Sequence, residues 1–190
     1  LLFIVAFLGS ISSILFIDYY YQVTYYITFG LFIIVFASFY LFFWMIFNDR
    51  FWDNVFFAKL RDSVKLNWLF EKIKVFRKLD KKYATKMFVV SFLFYLCFLV
   101  QYVLLVASFS NHSNYFKYLW AGNLMMFAKT IIPPVSLGEL GIREGASVFF
   151  ITILGESASV GFNASIFLFL INVLIPSLIG LLLLLKKNDD

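Results

Sequence analysis

The sequence predicts an all-α integral membrane protein of about four transmembrane helices plus a re-entrant helical hairpin broken at Pro133-Pro134. Three observations carry that expectation. Hydrophobic residues fill 63% of the 190 positions and charged residues only 14%, against roughly 45–50% and 25% in soluble domains. Apolar runs near the ~20 residues needed to cross ~30 Å of hydrocarbon recur along the chain. A further apolar region is interrupted halfway by two prolines and a set of glycines. The 27 Phe and 11 Tyr exceed what one small water-soluble core buries, so most face lipid, other helices or the interface. Disorder, a disulfide scaffold and a nucleic-acid domain fit these numbers poorly.

The first run, residues 1–17, starts at Leu1 without a positive n-region. It reads as the end of a helix from a longer membrane region, of which residues 1–190 form a single C-terminal domain, and not as a signal peptide. Residues 23–47, 87–109 and 164–185 are the three clear transmembrane runs. Between the first two lies the charge. Of the 16 Lys and Arg, 11 fall in residues 48–86 alongside Asp49, Asp53, Asp62, Glu71 and Asp80, which gives that loop a net +6 and leaves −1 for the remainder. Such a loop belongs in the cytoplasm, as does the tail beginning at Lys186-Lys187, whereas the connection 18–22 has no Lys or Arg and belongs outside. Within the loop Leu66, Leu69, Phe70, Ile73, Phe76, Leu79 and Tyr83 recur at helical spacing, and Lys72, Lys74, Lys78, Lys81 and Lys82 occupy other positions. That pattern describes an amphipathic helix lying on the cytoplasmic leaflet, setting orientation and anchoring the chain, with headgroup recognition as a second reading.

Residues 119–155 are the hairpin. Its apolar pieces, 119–132 and 146–154, reach only about 21 Å and 14 Å as helices. With the basic loop and the C-terminus on one side, this region has to enter and leave the membrane on the same face. Two half-length helices do so, and two full spans satisfy the same parity. Pro133 and Pro134 stop the incoming helix, while Gly138, Gly141 and Gly145 permit turns and close approaches. Irregular backbone at membrane depth is tolerated only against protein or a water-filled cavity. Lys129, Glu139, Arg143 and Glu144 lie within 16 residues of this otherwise apolar region, and ionisable groups at that depth point to function. Glu144 suits the positive end of the outgoing helix; Arg143 does not, by about 0.3–1 kcal/mol. An anion therefore belongs beside Arg143: Glu139, Glu144 or a lipid phosphate. Alternatively the four charges neutralise one another and merely pin the hairpin.

Elsewhere the chemistry is sparse. Cys97 is the sole cysteine, expected to pack, and His112 the sole histidine, expected to be a solvated loop residue. No metal site, no cofactor and no catalytic constellation is expected. Trp44, Trp52, Trp68 and Trp120 read as interfacial anchors. Asn123, Asn172 and Gln101 either line a cavity beside the hairpin or bond between helices.

The order Pro133-x-x-Ser136-x-Gly138-x-x-Gly141-x-Arg143-Glu144-Gly145 resembles the signature of the flippase-like membrane region of lysylphosphatidylglycerol synthases, and of related uncharacterised membrane proteins that lack the synthase domain. The family motif usually has two adjacent glycines where this chain has Gly138-Glu139. The resemblance implies a plasma-membrane protein that binds or moves a lipid such as an aminoacylated phosphatidylglycerol. The lysyl-transferring domain of the true synthases has no counterpart in the tail after residue 185. The expected substrate-binding set is Arg143, Glu139, Glu144, Gly138, Gly141, Gly145, Ser136 and Lys129, with Pro133 and Pro134 as the structural break. Expected partners are membrane phospholipids, anionic or aminoacylated, together with a second copy or a separate lipid-synthesising enzyme; nucleic acid is not among them. The competing classes are a membrane subunit of a lipid-modifying or glycosyl-transferring enzyme and a non-transporting scaffold.

Overall fold

The computed structural model describes residues 1–47, 81–132 and 141–187. Every described element is a helix. Helices α1 (Leu2–Tyr21), α2 (Tyr25–Phe47) and α3 (Lys81–Phe109) precede two shorter ones, α4 (Tyr115–Ile131) and α5 (Ile142–Ile153). The chain then continues through α6 (Ala158–Phe169), a π-helical turn (Leu170–Leu174) and α7 (Ile175–Lys187). Four helical stretches are long and apolar enough to cross a membrane: Leu2–Tyr21, Tyr25–Trp44, Lys82–Phe109 and Ala158–Leu185. They coincide with the four runs read from the sequence.

The boundaries move for local reasons. The first helix carries on past Asp18, whose carboxylate accepts a hydrogen bond from Thr28 Oγ1 at 2.7 Å, and the chain reverses within 22–24, where Gln22 takes φ 47°. Helix α3 begins six residues before the expected Met87, inside the basic segment. The rest of the basic loop, including Trp52, Trp68 and nearly all of the proposed amphipathic helix, lies outside the described residues.

By compactness the chain divides into two units, Leu1–Ser13 with Phe92–Asp190, and Ile14–Ser91. In the second, α2 buries only Thr28 among its described side chains. The first holds the packed interior: Tyr95, Leu99, Tyr102 and Val106 of α3, Tyr118, Leu124 and Met125 of α4, Ile151 of α5, and Ala164 and Leu168 of α6. Small and polar residues do much of the packing there, as they do where lipid removes the hydrophobic drive between helices. Asn123 donates to Leu8 O at 3.2 Å and to Ser12 Oγ, and accepts from Tyr95 OH. Asn172 donates to Gln101 Oε1 at 2.8 Å. These amides therefore bond between helices, the second of the two roles the sequence allowed. Trp120 Nε1 donates to Ser12 O at 3.2 Å. Cys97, in α3, is exposed rather than packed.

Helices α5 and α6 form an antiparallel pair. Their turn is a Schellman ending: Gly155, at φ 97°, donates to Thr152 O and Glu156 to Ile151 O, both at 3.1 Å. Further along, Gly161 lets the two backbones touch, since a Cβ there would lie 2.8 Å from Ser147 O. Ser147 Oγ donates to Gly161 O and lies against Tyr102 OH, each at 2.7 Å. The π-turn that follows α6 precedes Pro176, which lacks the N–H an α-turn would use and crowds the carbonyl four residues back. Ile175 N–H reaches Leu170 O instead.

Candidate functional site

The start of α5 gathers the buried charge. Gly141, at φ 94°, caps the helix in a conformation that favours glycine. Its N–H donates to Glu144 Oε2 at 2.5 Å, the reach-back half of a capping box. Glu144 thereby neutralises the positive helix end and is itself 6% exposed. Arg143 stands beside it, 2% exposed, although the helix dipole opposes a cation at that position. Its Nε–H reaches Glu144 Oε1 at 3.4 Å, a long ion pair. The Phe169 ring covers one face of the guanidinium, with its centroid 5.2 Å from Cζ, within cation–π range.

Two features of Arg143 set it apart. Its Nη2 is buried and has no hydrogen-bond partner among the described residues. A buried donor left unsatisfied costs about 1–3 kcal/mol, more when charged, so it calls for an explanation. The second feature is position. Phe169 lies about 17 Å along the axis from Ala158 at ~1.5 Å per residue, near the middle of the membrane-length helix Ala158–Leu185. Arg143 is therefore at that same level, while α4 and α5, at 17 and 12 residues, are only about 26 Å and 18 Å long.

Among the other expected site residues, Lys129 is half-buried in the last turn of α4, where a cation suits the helix dipole. Gly145 is exposed within α5, with open space beside its Cα. Pro133, Pro134, Ser136, Gly138 and Glu139 lie outside the described residues. Among the described residues no group of three His, Cys, Asp or Glu side chains is placed to hold a metal.

At the opposite end of α5 is a second polar cluster that sequence reasoning missed. Ser110 Oγ donates to Glu156 Oε2 at 2.7 Å, and Tyr118 OH lies 2.8 Å from Glu156 Oε1 and 2.7 Å from His112 O. Lys117 Nζ donates to Leu154 O at 3.4 Å. This clasp fastens the loop after α3 and the first turn of α4 to the α5–α6 turn. Partial burial pulls the Glu156 carboxyl upward, but the bonds from Ser110 and Tyr118 and the nearby His112 and Lys117 outweigh it and hold the group below its ordinary range. His112 itself is exposed, as expected, and contributes backbone groups. Phe169 was also missed, one ring in a run of apolar residues.

Compared with family models, curated proteins and solved structures, the chain matches none.

Proposed function

We propose that this chain is the membrane part of a lipid-binding or lipid-translocating protein, in which residues 119–155 form a re-entrant hairpin and Arg143 receives an anionic headgroup. The observation that carries the proposal is the Arg143 guanidinium, 2% exposed, with Nη2 unpartnered among the described residues, beside Phe169 near mid-length of a helix long and apolar enough to cross a membrane. A cation kept at that depth with an unsatisfied donor is a binding group awaiting an acceptor. A hairpin pinned only for stability would do as well with apolar side chains. The lengths of α4 and α5, and the level of Arg143 against Phe169, favour a region that turns back inside the membrane over two complete spans. The tip motif resembles the flippase-like region of lysylphosphatidylglycerol synthases and supports the same function. The basic segment 48–86 and the C-terminus then face the cytoplasm of a plasma membrane.

The test is lipid movement and binding in the reconstituted protein. Proteoliposomes of the full chain are expected to exchange fluorescent phosphatidylglycerol between leaflets, or the detergent-purified protein to retain it. Arg143→Gln abolishes both, and Arg143→Lys, which keeps the charge and loses the planar fork, weakens both at least tenfold. Full activity in Arg143→Gln would sink the proposal, and chemical conversion of the lipid would move the protein to the enzyme class.

A further inference from the structure

Each carboxylate oxygen of Glu144 already faces a donor of its own helix. Oε2 holds the Gly141 N–H at 2.5 Å and Oε1 faces Arg143 Nε at 3.4 Å, in a side chain 6% exposed. An incoming ammonium brings three donors and needs acceptors turned toward it. Glu144 is turned toward its own helix. Arg143 is in the opposite condition: Glu144 occupies its Nε side, Phe169 covers a face, and Nη2 has no partner among the described residues. Among the described residues Nη2 is left without a partner; it belongs to the Nη edge, whose two parallel N–H groups match two oxygens of one oxyanion. Adjacent backbone amides of the first turn of α5 add to the same preference.

From this we infer that the site reads the phosphate of its ligand and not an amine. The ligand is a phosphodiester-type oxyanion gripped at the Nη edge of Arg143, and Glu144 is a positioning residue that orients the guanidinium. The inference rests on the lipid-binding function proposed above and narrows it: a headgroup gains nothing at Glu144 by carrying an amino-acyl ester. The same oxyanion chemistry exists in a lipid headgroup and in free phosphate, and lipid is the source favoured by the depth of the site.

The experiment is equilibrium binding to the full-length chain in detergent, with short-chain phosphatidylglycerol, its lysyl ester and inorganic phosphate as separate probes. Expected are dissociation constants for the two lipids within about threefold of each other, a loss of at least tenfold for both in Arg143→Gln, and an equal weakening of both in Glu144→Gln. Phosphate alone is expected to bind at least tenfold more weakly than either lipid. Lysyl ester binding tenfold tighter than phosphatidylglycerol, with the preference erased in Glu144→Gln, overturns the inference and leaves lipid binding at Arg143 standing. Binding of neither lipid, or binding unchanged in Arg143→Gln, overturns the lipid function itself. Phosphate binding as tight as lipid assigns the site to the free ion and overturns the lipid source. Arg143→Met, which keeps volume without a donor, is measured beside Arg143→Gln with thermal unfolding of each. Loss of binding in a variant that melts like the wild type belongs to the site and not to the fold.

Discussion

Gly161→Ala tests how closely α5 and α6 are fitted. The added methyl would meet Ser147 O at 2.8 Å, Ser147 C at 3.1 Å and Val148 Cα at 3.1 Å. All three are backbone atoms, so no side chain can swing aside. The helices must separate by about 0.6 Å to restore ordinary contact, which overpacking data place at about 1–3 kcal/mol. The 2.7 Å bond from Ser147 Oγ to Gly161 O stretches as well, a loss of about 0.6 kcal/mol for an average interhelical bond in a membrane. Alanine returns roughly 0.5–1 kcal/mol of helix preference. The net is a destabilisation of about 0.6–3 kcal/mol, or a fall of roughly 1–12 °C in Tm for a chain of this size. Thermal unfolding in detergent measures it, with Gly180→Ala as the control. Nothing lies within 4 Å of a Cβ at Gly180, so that variant should melt at or slightly above the wild-type temperature. If Gly161→Ala melts as high as Gly180→Ala, the close contact and everything built on it are refuted. Ser147 lies one turn beyond Arg143 on the same face of α5, so the separation should also weaken lipid binding in protein that remains folded.

Three further outcomes are expected. The Glu156 clasp should be pH-dependent: because the folded carboxyl sits below its unfolded value of about 4.3, its contribution is complete above that pH and is lost as pH falls through the folded value. Melting temperatures of wild type should fall more steeply below about pH 5 than those of Glu156→Gln, and parallel curves would exclude the clasp. Gly141→Ala forces a side chain into φ 94° and should lower stability by about 1–2 kcal/mol by chemical unfolding, where an unchanged value would mean that the turn is not held as described. Tyr95→Phe leaves the Asn123 Oδ1 acceptor unfilled and should cost about 0.5–2 kcal/mol in the same assay, with no loss expected if Asn123 bonds only to α1.

The helices were legible because a membrane leaves the backbone few choices: a long apolar run must satisfy its own N–H and C=O groups, and does so as a helix. The site was legible in its charged half. Arg143, Glu144 and Gly141 are conspicuous among apolar neighbours, and the glycine's turn and the carboxylate's place in the first turn follow from local rules. The apolar half was not. Phe169 is one of 27 phenylalanines, and in a chain whose inward and lipid-facing residues are of the same kind nothing in its neighbours says that it meets a cation. Tyr118 and Ser110 share that difficulty, since each is an ordinary helix-end residue until the Gly155 turn brings Glu156 back to it. Ser147 and Gly161 are ordinary small residues, and what they share is a crossing point that only the packed pair of helices defines.

The π-helical turn at Leu170–Leu174 gives the last helix two angular frames. An α-turn closes on the fourth residue back and this one on the fifth, so the segment beyond it is rotated by about 100° relative to an unbroken helix. Phe169 is set in the first frame and Pro176 in the second. Deleting one residue of the turn would let it close as an ordinary α-turn and leave α7 on its present face, whereas deleting one residue within α7 would leave composition and hydropathy almost unchanged yet swing everything beyond it round by about 100°. Exchanging one aliphatic side chain of α7 for another leaves both frames in place, so in this helix the count of residues is a stricter constraint than their kind.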